Sequence, residues 1–248
     1  MRIDVEKTEL ERILPLRAAF LAEGKRQVVR NAYHQRGWSD SYLLRIDGED
    51  AGYGSTMAEE RVGERNIVFE FYIVPRHRKA IRAAFAALLR KASAVRIECQ
   101  SNDGLLAPML FEFAEGIFSH VMLFEAGPPA GHDLPGAVVR PRRVEDQIFA
   151  HTSEPLGAFV LEQGGAIIAT GGFLTHYNPP FADLYMEVEP SQRRRGAGRF
   201  LVQEVMKATV AEGLVPAARC NISNPGSRAT LISAGMRPCG YMLAGTVR

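Results

Sequence analysis

The stretch that decides the fold is LYMEVEPSQRRRGAGRFLVQEVMKATVAEG, residues 184–213. It begins with alternating apolar and polar residues, a pattern that predicts a β-strand, and Pro190 ends the strand because proline cannot donate to a sheet ladder. From Phe200 onward the apolar residues fall at helical spacing, and Gly213 is expected to cap the end of that helix. The residues predicted to form the wet face of the helix are Arg199, Gln203 and Lys207.

The turn between this strand and this helix has the features of a phosphate-binding site. A helix that begins near Gly196 points free backbone N–H groups and the positive end of its dipole into the turn, where an anion is stabilised. Gly196 and Gly198 have no Cβ, so we expect phosphates to approach the backbone itself. Arg193, Arg194 and Arg195 add cationic donors. The alternative is an ordinary charged turn that caps a helix.

The spacing of the glycines separates the ligand classes that use such turns. A P-loop requires GxxxxGK[ST], and no such string occurs in the chain. A dinucleotide-binding turn follows its strand directly and has a third glycine, whereas here residues 190–195 intervene and Leu201 occupies the third glycine position. This spacing disfavours a nicotinamide-dependent oxidoreductase. The RRR run is too short to predict nuclear localisation or RNA binding.

The pattern that does fit is [QR]-x-x-G-x-[GA], present at residues 193–198. With its strand and helix, the segment resembles the pyrophosphate-binding loop of the GNAT superfamily of acyl-coenzyme A-dependent N-acyltransferases. A second stretch, AARCNISNPGSRATLISAGM at 217–236, resembles the N-x-x-[SA] motif that follows the fifth strand in that family. The resemblance implies that acetyl-CoA is bound by Val188, Arg193, Arg194, Arg195, Gly196, Ala197, Gly198, Arg199, Asn224 and Ser227. Without a ligand, 224–226 is simply a turn and Ser227 an N-cap.

The chain contains an internal repeat, which indicates a tandem duplication. The corresponding segments are 71–88 with 186–203 at a shift of 115 residues, 98–102 with 220–224 at a shift of 122, and the strand–turn–strand patterns 42–55 with 159–173. Ile81 and Ala83 stand where the second half has Gly196 and Gly198. We therefore expect the first half to have lost coenzyme binding. Its remaining role is either to form part of the wall of a substrate cleft or only to stabilise the fold.

The repeat and the resemblance together predict an α+β protein of two tandem GNAT-like domains, each a mixed central β-sheet flanked by α-helices. Residues 1–126 are expected to form the degenerate domain, and residues 127–248 the acetyltransferase domain with the acyl-CoA site. The join is predicted at EAGPPAGHDLPGA, residues 125–137, where glycines and prolines interrupt any periodic pattern.

Acyl transfer to an amine needs the free base, whereas an alkyl amine is protonated at neutral pH. The pKa of the amine lies about three units above neutral pH, so deprotonating it costs roughly 4 kcal/mol. A general base is therefore worthwhile. Glu187 is the first candidate, because the family places this strand beside the coenzyme, and Tyr185 shares its face. In the family, a Tyr that acts as general acid often stands where this chain has Leu231 or Ile232. Tyr241 is the candidate that could take over this role. The alternatives are a solvated carboxylate at Glu187 and a packing role for Tyr241.

Composition limits the remaining function classes. A chain of 248 residues with 46% hydrophobic residues, 23% charged residues and a net charge of +2 is typical of a soluble globular protein and not of a general polyanion binder. No apolar run approaches the roughly 20 residues that span a bilayer, and the N-terminus is too polar for a signal peptide. Cys99, Cys220 and Cys239 have no metal-ligand spacing, and the first two are expected to be reduced core thiols.

The sequence thus predicts a cytoplasmic, acetyl-CoA-dependent N-acetyltransferase with an unidentified amine acceptor. It is expected to use no metal and to bind neither nucleic acid nor membrane, and a homodimer is left open. The alternative function is a catalytically inactive, coenzyme-binding scaffold. His176 and Tyr177, in the loop before the key strand, are interpreted either as lining the acceptor pocket or as incidental.

Overall fold

The computed structural model describes residues 1–24, 27, 30–60, 63–128, 131–152 and 155–248. These residues form two compact units, one of Met1–His120 with Gly240–Arg248, the other of Val121–Cys239. The division differs from the expected ranges 1–126 and 127–248, because the C-terminal residues supply a strand to the first unit. Pro129, in the predicted join, lies outside the described residues.

The first half of the chain contains both strands and helices. Their bounds are β1 Ile3–Thr8, α1 Leu10–Ala22, α2 Asn31–Gln35, β2 Ser39–Ile46, β3 Glu49–Met57, β4 Ile67–Ile73, a 3₁₀ helix Pro75–Ala80, α3 Ile81–Lys91, β5 Arg96–Gln100, α4 Leu106–Phe113 and β6 Ala114–Ala126. From Val121 onward, the residues of β6 belong to the second unit.

The second half repeats much of this order. Its elements are β7 Ala137–Pro141, β8 Phe159–Gln163, β9 Ala166–Leu174, β10 Phe181–Val188, a 3₁₀ helix Pro190–Gln192, α5 Ala197–Ala211, β11 Val215–Asn221, α6 Pro225–Ser233 and β12 Met236–Val247. From Gly240 onward, the residues of β12 belong to the first unit. In the part of the chain that the structure describes, no helix is long and apolar enough to cross a bilayer.

Each unit has a mixed six-stranded sheet with the same topology. The strand orders are β1-β2-β3-β4-β5-β12 and β7-β8-β9-β10-β11-β6. Along each order, three antiparallel pairings are followed by one parallel pairing, β4 with β5 or β10 with β11, and by a last antiparallel one. The predicted α+β class is confirmed. In each unit the last strand comes from the other half of the sequence, which no local pattern predicts.

The two predicted hairpins are confirmed by their turns. Between β2 and β3, Asp47 and Gly48 have φ values of 50° and 89°, and between β8 and β9, Gly164 and Gly165 have values of 59° and 79°. A two-residue hairpin turn that follows the sheet twist needs positive φ at both central positions, which favours Gly and Asp. The repeat is therefore visible in the backbone as well as in the sequence.

Each unit has its own apolar core between its sheet and its helices. The first core includes Phe71, Phe85, Leu88 and Leu106, and the second includes Leu161, Leu201, Val205 and Ala218. Cys99 and Cys220 are buried thiols in β5 and β11, as predicted, and Cys239 is half-buried.

The two units differ in the connection that follows their first strand. In the first unit, α1 and α2 lie between β1 and β2, whereas the described residues of 142–158, between β7 and β8, contain neither helix nor strand. An irregular segment therefore takes the place of two helices in the second unit. Residues of this segment contact β9 and β10, as described below.

The helices of the first unit bury a saturated polar network around Glu70 on β4. Arg17 of α1 donates to both carboxylate oxygens, at 3.0 and 3.1 Å, and His34 Nε2 of α2 lies 3.1 Å away. Tyr53 donates its hydroxyl at 2.9 Å, and Arg17 also donates to Asn31 at 3.1 Å. Burial by itself raises the pKa of Glu70, but His34 and Arg17 outweigh it and hold that pKa well below its usual range.

We expect Arg17→Met to lower the free energy of unfolding by about 3–5 kcal/mol, because it leaves Glu70 charged and buried without its main partner. The matched control is Arg12→Met on the same helix, where the exposed pair with Asp50 at 3.5 Å should contribute at most about 1 kcal/mol. Denaturant unfolding at neutral pH measures both losses. Because the folded pKa of Glu70 is depressed, its contribution is present above about pH 4.3 and is lost as the pH falls further, so the Arg17 variant should show a weaker acid dependence. Equal losses in the two variants would contradict this account.

Candidate coenzyme and acyl-transfer site of the second unit

The candidate site begins where two parallel strands diverge. Strands β10 and β11 pair only through Phe181–Asp183 and Val215–Ala217, while β10 continues to pair with β9 as far as Val188. Beyond Asp183, the edge of β10 on the β11 side therefore pairs with no described strand. Crevices at the carboxyl ends of parallel strands are the usual ligand sites of open α/β sheets.

The predicted turn lies at the carboxyl end of β10. Arg193 Nε donates to the Val188 carbonyl at 3.1 Å, and two later residues have positive φ, Arg194 at 63° and Gly196 at 89°. The helix α5 then begins at Ala197, as predicted, with its first N–H groups directed back into the turn. Its N-terminus is therefore oriented to stabilise an anion.

The arginine run of this turn is exposed. Arg193, Arg194 and Arg195 form no ion pair with any described carboxylate, and Arg195 has only a 3.3 Å contact with the Gln192 side chain. Unpaired guanidinium groups beside a helix N-terminus create a strongly cationic surface.

The two glycines of the turn have different structural roles. Gly196 needs its left-handed backbone, and a Cβ there would lie 2.7 Å from His132 Nε2. A Cβ on Gly198 would instead contact Thr230, Val188 and Met186 at 3.1–3.5 Å. The missing side chain of Gly198 therefore lets α5 approach β10 and α6, and the contact of this residue with phosphate stays a prediction.

Two predictions about α5 need correction, and one is confirmed. Gln203 was expected on the wet face, but it is 8% exposed and its amide lies 3.5 Å from the Ala234 carbonyl, where α6 ends. Arg199 is also partly buried. Gly213 does end the helix, since it has a φ of 75° and donates to the Val210 carbonyl at 2.9 Å. The apolar periodicity could not reveal that α6 covers part of the polar face.

Sequence reasoning missed the contribution of the segment before β7. Arg199 donates to the Gly131 carbonyl at 3.1 Å, and the neighbouring His132 ring lies against Gly196. His132 Nε2 and Arg199 Nε are buried, and neither has a hydrogen-bond partner among the described residues. Since such atoms are almost always paired in folded proteins, both nitrogens are available to a hydrogen-bonding ligand or water at this turn.

The second predicted coenzyme element, after β11, is a capped helix. Asn224 is the N-cap of α6 and its side-chain oxygen accepts the Ser227 N–H at 2.9 Å, while Pro225 takes the first helical position. The interpretation of Ser227 as the N-cap is therefore wrong. Asn224 is exposed, and Gly235, with a φ of 98°, follows the end of α6.

Glu187 is buried and hydrogen-bonded, so the alternative of a solvated carboxylate is wrong. Its exposed fraction is 6%. Thr152 donates to it through the backbone N–H, at 3.0 and 3.2 Å, and through the hydroxyl at 2.7 Å. His151 Nδ1 lies 3.2 Å from the carboxylate, and His151 Nε2 lies 2.8 Å from the hydroxyl of Thr170, which is opposite Glu187 on β9.

This arrangement determines the tautomer of His151. A carboxylate only accepts hydrogen bonds, so a proton on Nδ1 suits the contact with Glu187. In the neutral ring, Nε2 then accepts a hydrogen bond from the Thr170 hydroxyl. His151 orders Glu187 and Thr170 on one face of the sheet. Sequence analysis missed this residue, because it lies in the irregular segment, 36 residues before Glu187.

The two predicted catalytic tyrosines lie in different places. Tyr185 is on the same face of β10 as Glu187 and is half-buried, with its hydroxyl 2.7 Å from the position of a Cβ on Gly172. Burial raises the pKa of Tyr185. Tyr241 belongs to the first unit, where its backbone pairs with Ser101, and its catalytic role stays a prediction.

His176 and Tyr177 lie at the other end of β10. His176 Nε2 is 3.3 Å from Asp183, which also accepts from Arg219 at 3.3 Å, and Tyr177 is 1% exposed. Asp183 is at the amino end of β10, whereas the coenzyme turn follows Val188. The structure therefore separates both residues from the turn.

The corresponding turn of the first unit has a different backbone. After β4, the 3₁₀ helix Pro75–Ala80 leads directly into α3, and no residue between Pro75 and Ala83 has positive φ. Ile81 packs against the first core, and Ala83 is exposed. The left-handed turn that frees backbone N–H groups in the second unit is thus absent from this segment.

Comparisons with known proteins agree with this architecture. Residues 128–235 match the family model described as "Acetyltransferase (GNAT) family". A GNAT-family acetyltransferase from Colwellia psychrerythraea is 11% identical with a TM-score of 0.74, covering 100% of both chains. A GCN5-related N-acetyltransferase from Sphaerobacter thermophilus is 16% identical with a TM-score of 0.58, covering 99% of this chain and 96% of its own.

A third solved structure, described as a tandem GNAT protein from the clavulanic acid biosynthesis pathway, is 11% identical with a TM-score of 0.57 and covers 99% and 98% of the two chains. No curated protein sequence matches the chain significantly. The chain therefore has the fold of a tandem GNAT protein, as predicted. Residues 128–235 are similar to the GNAT acetyltransferase family, whose members transfer an acyl group from coenzyme A to an acceptor.

Proposed function

We propose that the second unit is an acetyl-CoA-dependent N-acetyltransferase that acts on an amine. The observation that carries this proposal is the α5 N-terminus, where one turn is surrounded by a left-handed Gly196, three exposed arginines and two buried nitrogens that have no partner among the described residues. These groups suit the phosphates of acetyl-CoA, so the residues present fit that co-substrate. We assign its binding to Val188, Arg193–Arg199, Asn224 and Ser227.

Acetyl-CoA supplies an activated thioester when it is bound. The chain has to hold the amine beside it and remove a proton from the ammonium, which costs roughly 4 kcal/mol over about three pKa units at neutral pH. We propose that this proton is accepted by the network of Glu187, His151 and Thr170. There the carboxylate stabilises a positive imidazole ring. Tyr185 lies on the same face. The group that protonates the departing thiolate is unassigned, because neither Leu231 nor Ile232 has an ionisable side chain.

A second candidate function is a coenzyme-binding scaffold that makes no product. It is favoured by the enclosure of Glu187, whose carboxylate is occupied by donors from Thr152 and His151. In such a protein the turn at Gly196 would still bind the coenzyme.

The test is an acyl-CoA and amine panel, followed by the release of free thiol and by mass spectrometry of the acylated amine. The N-acetyltransferase proposal predicts thiol release that depends on an amine and is fastest with acetyl-CoA among acetyl, propionyl and butyryl donors. Binding of acetyl-CoA by calorimetry without thiol release across the panel would favour the scaffold. An absence of binding would overturn both functions.

We expect one coenzyme molecule per chain. The first unit lacks the left-handed turn and has Ile81 and Ala83 in place of the two glycines, so its helix N-terminus offers no comparable site. Calorimetric titration with coenzyme A measures the stoichiometry. Ile81→Gly serves as a control, because restoring one glycine without the arginine-rich turn should not create a second site. Two equivalent sites in the wild type would contradict the degenerate interpretation of the first half.

A further inference from the structure

The segment before β7 lies on the first turn of α5. The Gly131 carbonyl accepts from Arg199 at 3.1 Å, and His132 Nε2 lies 2.7 Å from the position that a Cβ on Gly196 would occupy. The imidazole therefore lies where an anion would approach this helix N-terminus.

Two buried nitrogens at this contact are left without partners. Arg199 Nε can only donate, and His132 Nε2 has no hydrogen-bond partner among the described residues although the atom is buried. The other charged groups nearest in sequence are the exposed Asp133 and the exposed Arg193–Arg195 of the turn. Nothing described accepts from the two nitrogens, and phosphate oxygens are suitable acceptors for donors of this kind.

We infer that His132 is a phosphate ligand of the coenzyme beside Arg199, so that the residues just before β7 contribute to the pyrophosphate site. The inference rests on the proposed function, since it requires coenzyme A at this turn. Because the ring now lies against Gly196, it must turn aside to admit a phosphate and then donate to it. The competing interpretation is that His132 only blocks the turn and leaves when the coenzyme binds.

The two interpretations predict opposite changes in the affinity for coenzyme A when His132 is replaced by Ala. His132→Ala should weaken binding of coenzyme A about tenfold if the ring donates to a phosphate, since hydrogen bonds to charged groups are the stronger ones. Removing a mere block would instead tighten binding. His132→Gln keeps an N–H donor of similar reach and should recover part of the loss. His132 is only partly buried in a loop, so neither variant should disturb the fold, which thermal unfolding checks.

The experiment is calorimetry on the full chain with coenzyme A and with pantetheine, which has the same thiol arm without phosphates. The inference predicts that His132→Ala weakens binding of coenzyme A and leaves that of pantetheine unchanged. Unchanged or tighter binding of coenzyme A by the Ala variant, with a wild type that binds, would overturn the inference alone. A wild type that does not bind coenzyme A would overturn the proposed function and this inference together.

Discussion

Glu187→Gln is expected to lower kcat for amine acetylation about 10²–10⁴-fold, while the affinity for acetyl-CoA changes little. The amide oxygen can still accept from Thr152, and its NH₂ group can face His151 Nδ1 if the ring shifts its proton to Nε2 and donates to Thr170. The network can therefore persist without a negative charge. What is lost is the carboxylate that stabilises a protonated imidazole ring. Initial rates at saturating acetyl-CoA measure the effect.

The pH dependence tests the role of Glu187. The defect should shrink as the pH rises toward the pKa of the acceptor, because free amine then becomes available without a base. Glu162→Gln, a partly exposed carboxylate on β8 that pairs with Arg140, is the matched control and should leave kcat unchanged. An unchanged rate in the Glu187 variant at neutral pH would remove Glu187 from the mechanism. A loss that persists at high pH would indicate that Glu187 positions the ammonium instead.

Gly196→Val is expected to abolish measurable binding of acyl-CoA while the protein still unfolds cooperatively. A branched side chain at this position would fill the space in front of the α5 N-terminus, and its Cβ would already lie 2.7 Å from His132 Nε2. The backbone φ of 89° adds a strain of roughly 1–2 kcal/mol for any residue with a Cβ. Calorimetry with acetyl-CoA and denaturant unfolding measure the two effects separately.

The matched control for this variant is Gly213→Val at the opposite end of α5. Gly213 has a similar φ of 75°, and no atom lies within 4 Å of a Cβ built there, so the substitution has the same backbone strain without the loss of anion space. Both variants should lose stability through the backbone strain, and only Gly196→Val should lose the coenzyme. Undiminished affinity in Gly196→Val would remove the turn from the coenzyme site.

Local signals in the sequence were sufficient for the elements that position the turn. Pro190, the left-handed Gly196 and the terminal Gly213 act through their own backbone geometry, so the strand, the turn and the bounds of α5 could be predicted from the residues themselves. The two hairpins follow for the same reason from Asp47–Gly48 and Gly164–Gly165. The duplicated order of these elements could likewise be read from the sequence.

Contacts between distant segments decided the rest. That α6 buries Gln203, that the segment before β7 brings His132 to Gly196, and that His151 reaches Glu187 all depend on packing between segments 31 to 64 residues apart, which leaves no periodic pattern in the sequence. The same holds for Gly198, whose missing Cβ allows close helix packing.

The sequence by itself determined which segments form strands, turns and helices and where an anion-binding helix N-terminus would lie, because those depend on backbone preferences a few residues long. Only the tertiary structure decided that each sheet takes its last strand from the other half of the chain. It also decided that an irregular segment in place of α1 and α2 encloses Glu187. The physical reason is that pairing and burial depend on which surfaces meet in the folded chain, and apolar and polar patterns within one segment do not specify their partner.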